Sequence, residues 1–299
     1  MADNKKLKIL FVINPGSGNN STDWATQIEH YFTSTHHTIE LFQLPANCHI
    51  ETIKNRIELF TPNRVIAVGG DGTVKLVAEC LMEKNIALGI LPAGSANGLA
   101  KELGIDMNPT KALDVIVGES SKKIHMTSVN NQMCVHLSDI GLNANMLKEF
   151  ETQQVRGMWG YLKAFLKVLW QNPKMKVEMR IDNKTIRIKA EMVVIANATK
   201  YGSGAIINPI GKLDDEFFEV IAIKQLSPLE ILKMTFSIGS HDAQKTEIFQ
   251  TNDFVMRSKR NVHFQVDGEY LGKVKEVKAN IMPNVLEILV PVLTTSTTV

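Results

Sequence analysis

The chain has 299 residues, of which 44% are hydrophobic and 21% are charged, and its formal net charge is +2. This length suits two domains better than one core, and this composition is typical of a globular protein. The weak net charge argues against a polyanion-binding protein, so we expect no nucleic-acid partner. Three scattered cysteines lack the spacing of a zinc site or a disulfide framework, which favours the reducing cytoplasm. No apolar stretch approaches the roughly 20 residues that span a bilayer.

The first 120 residues alternate between short apolar runs and segments with helical periodicity. We predict strands at 7–13, 38–44, 64–68 and 86–91, and helices at 22–32, 50–60, 73–82, 96–103 and 110–117. The charged start and the short apolar run at 7–13 indicate a strand and not a signal peptide. Near-continuous apolar strands that alternate with helices indicate a parallel sheet with helices on both faces. We therefore predict a first α/β domain at 1–124, to which 291–299 returns.

The pattern changes after Glu119. Short or alternating segments predict strands at 175–181, 185–189, 192–196, 217–223, 262–267 and 285–290. Helices are predicted at 159–170 and from Ser227, and the tail at 294–298 is expected to fray. The second half is therefore predicted to be a β-rich domain at 125–290, an antiparallel sheet or sandwich. Two domains imply a cleft between them, which is where we expect the site.

Three glycine-rich turns each follow a predicted strand. They are Asn14-Pro15-Gly16-Ser17-Gly18, Gly69-Gly70-Asp71-Gly72-Thr73 and Gly94-Ser95-Ala96-Asn97. Such turns place free backbone N–H groups and the positive end of a helix dipole at one edge of a parallel sheet, which suits a phosphate. An Asp in the same loop suits Mg²⁺ or a hydroxyl. Each turn alone could be a capped strand-to-helix connection, but three on one sheet predict a site for a nucleotide–metal complex. Neither GxGxxG nor GxxxxGK[ST] occurs.

Two acidic segments of the second half allow both a structural and a functional interpretation. Asp267-Gly268-Glu269 places two acids at a strand end, but Asp-Gly is also an ordinary hairpin turn. The segment 212–217 contains three successive acids, which either form a solvated turn or hold a cation. A third segment, 156–170, is basic and amphipathic and ends in tryptophan. It either packs on the second domain or lies in a membrane interface.

The motifs NPGSG, GGDGT and LPAGSANGLAKELG, in this order, resemble the catalytic domain of diacylglycerol kinases and sphingosine kinases. Among these the chain is most similar to the bacterial soluble lipid kinases. The resemblance implies a Rossmann-like α/β lobe of the NAD kinase and lipid kinase type, and a β-sandwich lobe across a cleft. It implies an enzyme of phospholipid metabolism that uses ATP and Mg²⁺ to phosphorylate a lipid hydroxyl. Such an enzyme would be cytoplasmic and would contact the membrane peripherally to reach its lipid substrate.

The resemblance also implies roles for individual residues. The nucleotide site would comprise Asn14, Gly16, Ser17, Gly18, Gly69, Gly70, Asp71, Gly72, Thr73, Ser95 and Asn97. Within this set Asp71 would face the catalytic Mg²⁺. Glu269 would be the general base that accepts the proton of the lipid hydroxyl, and Asp267 would be a Mg²⁺ or hydrogen-bonding partner. A structural Mg²⁺ would be held by the Asp215 carboxylate and the main-chain carbonyls of Lys212 and Phe217.

The chain departs from the family pattern at a few positions. Lys75 and Leu76 replace the usual Asn-Glu after GGDGT, and Glu216 replaces a usual Gly. Gly98 stands where diacylglycerol kinases usually carry Asp, which is closer to the sphingosine kinase pattern. These departures keep two alternatives open: a nucleotide- or lipid-binding regulatory protein without turnover, and an NAD kinase, which shares GGDGT. An exposed edge strand of the second domain could also pair with a copy of the chain in a homodimer.

Overall fold

A computed structural model of the chain describes residues 6–18, 22–46, 48–82, 84–153, 174–199, 206–225 and 244–292. The chain divides into two compact units, Met1–Ile124 with Asn284–Val299, and His125–Pro283. The chain thus re-enters the first unit at Asn284, ahead of the predicted return at 291. The predicted helices at 159–170 and after Ser227, the segment 156–170 and the tail at 294–298 lie outside the described residues.

The first unit has the alternating order that the sequence predicts. Its elements are β1 (Lys8–Ile13), α1 (Trp24–Phe32), β2 (Thr38–Gln43), α2 (Ile50–Phe60), β3 (Arg64–Gly69), α3 (Asp71–Leu81), β4 (Ala87–Pro92), α4 (Gly98–Glu102) and α5 (Pro109–Val117). Strands β1, β3 and β4 bury five of their six residues. Strands buried on both faces need helices on both sides of the sheet, and such helices follow each of these strands.

The sheet of the first unit is parallel and has the strand order β2-β1-β3-β4. The chain therefore moves one way from β1 to β2 and the other way from β2 to β3. Because parallel crossovers are right-handed, this reversal puts α1 and α2 on opposite faces of the sheet. Helix α2 packs on α3, and α1 packs on α5. The reversal creates a topological switch point between β1 and β3, where open α/β sheets bind ligands.

The second unit is built from antiparallel strands. The elements from the end of the first unit onward are β5 (Ser121–Val129), β6 (Gln132–Cys134), β7 (Leu137–Gly141), α6 (Leu142–Gln153), β8 (Met175–Ile181), β9 (Lys184–Ala190), β10 (Met192–Ala196), β11 (Phe218–Ile223), β12 (Thr246–Thr251), β13 (Asp253–Val266) and β14 (Glu269–Leu289). The pairing order is β12-β11-β10-β7-β13-β14, and the β8–β9 hairpin extends from β13. The last residues of β14 belong to the first unit, where Ile288 pairs with Leu88 of β4 in parallel.

Strand periodicity explains the core of the second unit. In β8, alternate residues from Met175 to Ile181 are buried, and they join a core that also includes Ile195, Phe218 and Phe254. Asp182 and Asn183 form the turn between β8 and β9, and both residues have positive φ (47° and 63°). Positive φ at both central residues is the requirement of a two-residue type I′ turn.

Several elements of the second unit were not predicted from the sequence. They are β5, β6, β7, α6, β12, the first half of β13 and the part of β14 before Val285. Strand β13 has a register shift between Arg257 and Val262, which breaks the alternation that strand prediction requires. Among the described residues, no helix is both long enough and apolar enough to cross a bilayer.

Candidate active site

The three glycine bends meet at the carboxyl edge of the first unit's sheet. The main-chain N–H of Asn14, directly after β1, donates to the carbonyl of Val68 in β3 at 3.0 Å. The Asn14 side-chain amide donates to Thr73 Oγ1, also at 3.0 Å. The N–H of Ala93, after β4, donates to the carbonyl of Gly69 at 3.0 Å. These hydrogen bonds join the ends of β1, β3 and β4 into one continuous rim.

Three positions on this rim, Gly18, Gly69 and Gly94, have room for glycine only. A Cβ at Gly94 would lie 2.4 Å from the Cα of Gly70, because the second and third bends are in backbone contact. Gly18 has φ +65°, and a Cβ there would lie 2.3 Å from the carbonyl oxygen of Ala93. By contrast, a Cβ at Gly72 would have no atom within 4 Å. The rim is therefore tightly packed on the protein side and open at Gly72.

Asp71 links the second bend to the third. It is the first residue of α3, and its carboxylate oxygens accept hydrogen bonds from the N–H groups of Gly98 at 2.9 Å and Leu99 at 3.0 Å. These are the first N–H groups of α4, which the helix itself leaves unsatisfied. One such bond on each oxygen leaves further lone pairs on the carboxylate. The predicted contact of Asp71 with Mg²⁺ stays a prediction.

Asn97 holds the third bend closed. Its Oδ1 accepts from the N–H of Gly94 and its Nδ2 donates to the carbonyl of Gly94, both at 2.8 Å. Asn97 has φ 52° and is 7% exposed, whereas Ser95 at the tip of the bend is exposed. The amide that the sequence assigns to the nucleotide is therefore engaged in shaping the loop. The nucleotide contacts predicted for Ser95 and Asn97 stay predictions.

A cavity of about 620 Å³ opens beside the rim within the first unit. Its lining includes Asn14, Ser17, Ser95 and Asn97, four residues that the sequence assigns to the nucleotide. It also includes Thr22, Trp24, Gln43 and Met107, which were not predicted from the sequence as site residues. Gln43 is the last residue of β2, so its position at a strand end was a usable signal. Met107 follows α4, and nothing in the surrounding sequence predicts that it lines a cavity.

The second bend also supplies a helix terminus. Helix α3 is 11 residues long, Gly70 is its N-cap, and no side chain caps its first turn. The unsatisfied N–H groups and the helix dipole therefore favour an anion at this end. The open space at Gly72 lies in the same first turn. This arrangement can hold a phosphate group through the backbone alone.

The Asp-Gly-Glu turn lies in the second unit, where it connects β13 to β14. Asp267 and Gly268 both have positive φ, 51° and 86°. The Asp267 carboxylate accepts hydrogen bonds from the N–H groups of Val135 at 3.0 Å, His136 at 2.9 Å and Leu137 at 3.3 Å. Asp267 therefore anchors the turn to residues 135–137, and its predicted role as a Mg²⁺ or hydrogen-bonding partner stays a prediction. Glu269, the first residue of β14, is exposed.

The acidic turn in the second unit precedes β11. The N–H of Phe217 donates to Asp215 Oδ1 at 3.3 Å, and Lys212 and Phe217 are exposed. Glu219, in β11, is 1% exposed, and burial raises its pKa, with a further contribution from the negative charge of Asp215. Among the described residues, no group of three or more His, Cys, Asp or Glu side chains is arranged so that it could hold a metal ion. The structural Mg²⁺ at Asp215, Lys212 and Phe217 stays a prediction.

Comparisons with known proteins cover both units. Residues 8–129 match the model of the diacylglycerol kinase catalytic domain, and residues 139–290 match the YegS C-terminal NAD kinase beta sandwich-like domain. A diacylglycerol kinase from Staphylococcus aureus is 28% identical over 219 residues, which is 70% of this chain and 69% of that protein. A probable lipid kinase YegS-like from Chromohalobacter salexigens is 27% identical over 176 residues, and the match spans only 57% of either protein.

Solved structures show the same fold at low sequence identity. A putative diacylglycerol kinase from Bacillus anthracis aligns with a TM-score of 0.75 at 18% identity, over 96% of this chain and 98% of that one. An NAD kinase from Archaeoglobus fulgidus in complex with ATP aligns with a TM-score of 0.56 at 13% identity, over 95% and 93%.

The fold and the matched domains define a kinase with an α/β unit and a β-sandwich unit. More narrowly, the chain belongs to the family of lipid kinases that combine a diacylglycerol kinase catalytic domain with a YegS C-terminal NAD kinase beta sandwich-like domain. The expected family and fold class are thereby confirmed.

Proposed function

We propose that this protein transfers the γ-phosphate of ATP to a hydroxyl group of a membrane lipid, of the diacylglycerol or sphingoid type. The observation that supports this most directly is the meeting of three glycine bends beside a cavity of about 620 Å³. In the proposal the cavity takes the adenosine moiety, and the phosphates lie along the rim toward the start of α3. Because Gly72 leaves this space open and Gly94 allows the bends to touch, backbone N–H groups can surround a phosphate closely.

The residues present fit a catalytic Mg²⁺ bound together with the phosphates. Magnesium prefers oxygen ligands, usually one or two carboxylates with phosphate oxygens and water. The Asp71 carboxylate has lone pairs left after its hydrogen bonds to Gly98 and Leu99, and these bonds fix its orientation. When bound, Mg²⁺ would neutralise charge on the β- and γ-phosphates.

In the proposed reaction one proton is transferred from the lipid hydroxyl to a side chain of the protein. The lipid hydroxyl oxygen forms a bond to the γ-phosphorus, while the bond between that phosphorus and the bridging oxygen of ADP breaks. The hydroxyl proton passes to the carboxylate of Glu269, and ADP leaves with the electron pair of the broken bond. Backbone N–H groups of the rim stabilise charge on the transferring phosphoryl group. Phosphoryl transfer depends mainly on positioning and electrostatics, so these N–H groups contribute more than the base.

The partners follow from the same proposal. A lipid acceptor requires peripheral contact with a membrane. The structural Mg²⁺ would be held by Asp215 with the carbonyls of Lys212 and Phe217.

Strand β9 pairs only with β8 among the described strands, so its outer edge is available to a second copy of the chain. Light scattering of the purified protein would establish whether a homodimer forms.

The test is transfer of ³²P from γ-labelled ATP to lipids in mixed micelles, with diacylglycerol, sphingosine and NAD as separate acceptors. Wild type should label one lipid, and omission of Mg²⁺ should abolish the labelling. Glu269→Gln should lower kcat by about 100-fold or more, the usual contribution of a general base. Asp71→Asn should lower it as well, because it loses a ligand charge.

Three results would contradict the proposal or part of it. Labelling of NAD and of no lipid would make the protein an NAD kinase. Binding of nucleotide and lipid with no transfer to any acceptor would indicate a regulatory protein that has kept the fold. Equal activity of the wild type, Asp71→Asn and Glu269→Gln would remove the assigned roles and leave the activity to other residues.

A further inference from the structure

A buried hydrogen-bond chain reaches the Asp-Gly-Glu turn from inside the second unit. Gln265, in β13, is 1% exposed, and its Oε1 accepts from the N–H of Gly268 at 2.7 Å. Its Nε2 donates to the carboxylate of Asp139 in β7, which is 0% exposed. Neither residue was predicted from the sequence to have a role. Two successive hydrogen bonds therefore link Asp139, through the Gln265 amide, to the backbone of the turn.

Asp139 is held in place by other donors. Its Oδ1 accepts from the N–H of Ala144 at 2.9 Å, and its Oδ2 accepts from the Asn143 amide as well as from Gln265. Asn143 and Ala144 lie at the start of α6, whose dipole favours a negative charge there. A buried carboxylate with this set of N–H donors acts only as an acceptor.

The acceptor-only carboxylate determines the orientation of the Gln265 amide. An amide has a donor end and an acceptor end, and only the donor end can face Asp139. The acceptor end must then face Gly268, whose N–H can only donate. A reversed amide would bring two acceptors together at Asp139 and two donors together at Gly268. Asp139 thereby selects the arrangement in which the Gly268 N–H is satisfied.

The other side of the turn is anchored independently. Asp267 accepts from three main-chain N–H groups at 135–137, and its own N–H donates to the carbonyl of Leu137 at 2.9 Å. The two residues before Glu269 are therefore each held by a different segment of the unit. Glu269 itself is exposed, so its carboxylate is positioned through the backbone of the turn and not by packing of its side chain.

We propose that Asp139 and Gln265 are positioning residues for Glu269, acting through the N–H of Gly268. This inference rests on the proposed function, in which Glu269 is the general base. A misplaced base weakens proton transfer without weakening ATP binding, so the effect should fall on kcat and spare the KM for ATP. Small displacements of a catalytic group can cost up to about 100-fold in rate.

The test uses two single variants and their combination. In Asp139→Asn the remaining carbonyl oxygen is needed by the N–H of Ala144, so the new NH₂ group faces the donor end of Gln265. The Gln265 amide must then turn over and leave Gly268 without an acceptor. In Gln265→Glu two carboxylates face each other, and their repulsion should displace the turn increasingly as pH rises. We expect each single variant to lower kcat by about 10-fold or more. The KM for ATP should stay within about twofold, since ATP contacts neither residue in the proposal.

The double variant Asp139→Asn/Gln265→Glu provides the sharpest readout. The amide introduced at position 139 can donate to one oxygen of the carboxylate introduced at position 265, and the other oxygen can accept from Gly268. The donor–acceptor chain to the turn is thus rebuilt with the charge moved to position 265. We expect kcat to return to within about threefold of wild type, a non-additive effect that direct contact predicts. A double variant as slow as the product of the two singles would overturn the proposal.

Ser138→Ala is the matched control for general damage to this buried region. Ser138 Oγ donates to the main-chain carbonyl of Gln265 at 2.7 Å and does not touch the amide chain to the turn. This variant should lower the melting temperature and keep kcat within about twofold, because only a structural hydrogen bond is lost. A kcat loss equal to that of Asp139→Asn would overturn the positioning role.

Glu269→Gln separates this inference from the proposed function. If Glu269→Gln is inactive and Asp139→Asn keeps the wild-type kcat, the positioning role alone is wrong. If Glu269→Gln keeps full activity, Glu269 is not the base, and the positioning role fails together with that assignment. Loss of activity in Glu269→Gln with rescue in the double variant supports both.

Discussion

The glycine rim of the first unit and the Asp-Gly-Glu turn of the second unit are both held by side-chain acceptors, but the rim also depends on close backbone contact. At the rim, backbone approaches backbone, as where Gly94 meets Gly70, and side chains are absent from the contact. At the turn, buried side chains such as Asp267 and Gln265 hold the backbone through hydrogen bonds. The rim therefore needs glycines without side chains in addition to its acceptors, Asp71 and Asn97, whereas the turn depends on correctly placed acceptors. Substitutions should damage the rim by steric conflict and the turn by loss of hydrogen bonds.

The largest effect is expected from Gly94→Ala, which tests the steric half of this comparison. The new methyl group would overlap the Cα of Gly70 at 2.4 Å, so the bends must separate. We expect the free energy of unfolding to fall by about 3 kcal/mol, as for an overpacked core position, and ATP binding to be lost. Chemical denaturation and calorimetric titration with MgATP would measure both. Wild-type ATP affinity in this variant would show that the rim is not the phosphate site.

A comparison of Asp267→Asn with Glu269→Gln tests whether hydrogen bonds to Asp267 hold the Asp-Gly-Glu turn. The amide removes an acceptor from three N–H groups that converge on one carboxylate, so unfolding should become easier by about 1–3 kcal/mol. Exposed Glu269 can be replaced at a cost within about 0.5 kcal/mol, although activity is lost. Denaturation curves of the two variants would give the comparison. Equal destabilisation would mean that Asp267 does not hold the turn.

A smaller and opposite effect is expected from Gly72→Ala, which sharpens the description of the rim. Its Cβ would meet no atom within 4 Å, and alanine is favoured over glycine in a helix. We expect the free energy of unfolding to rise by about 0.5–1 kcal/mol. ATP affinity should nevertheless fall, because the methyl group would occupy the space proposed for a phosphate. A variant that is more stable and binds ATP normally would place the phosphate elsewhere.

The smallest effect concerns Glu219, which extends the comparison to a charge buried in the second unit. Burial raises its pKa above the ordinary value of 4.5, so between 4.5 and the raised pKa the folded protein holds a proton that the unfolded chain has lost. The free energy of unfolding should therefore decrease as pH rises through this window. Glu219→Gln should remove this part of the pH dependence. Denaturation of wild type and Glu219→Gln at a series of pH values would measure this pH dependence. If the free energy of unfolding changed with pH equally in both proteins, the prediction would be wrong.

The part of the fold that sequence predicted best is the first unit. Its strands and helices are confirmed because long apolar runs and helical periodicity are local signals. In the second unit, only the end of β13 was predicted, since a register shift between Arg257 and Val262 interrupts the alternation. The rim residues were predicted because glycines at strand ends are visible in sequence. The residues that support the Asp-Gly-Glu turn were not, because Asp139 and Gln265 are 126 positions apart.

The sequence by itself determined the order of elements in the first unit, the three glycine bends and the family. These three features depend on residues that are neighbours along the chain. A glycine or the period of an apolar pattern can be identified there from the sequence alone. Only the tertiary structure decided that Asp71 caps α4 and that Asp139 orients the side-chain amide of Gln265. The physical reason is that a buried polar group must find a partner wherever the fold brings one. Pairing of β7 with β13, and not sequence, places Asp139 beside Gln265.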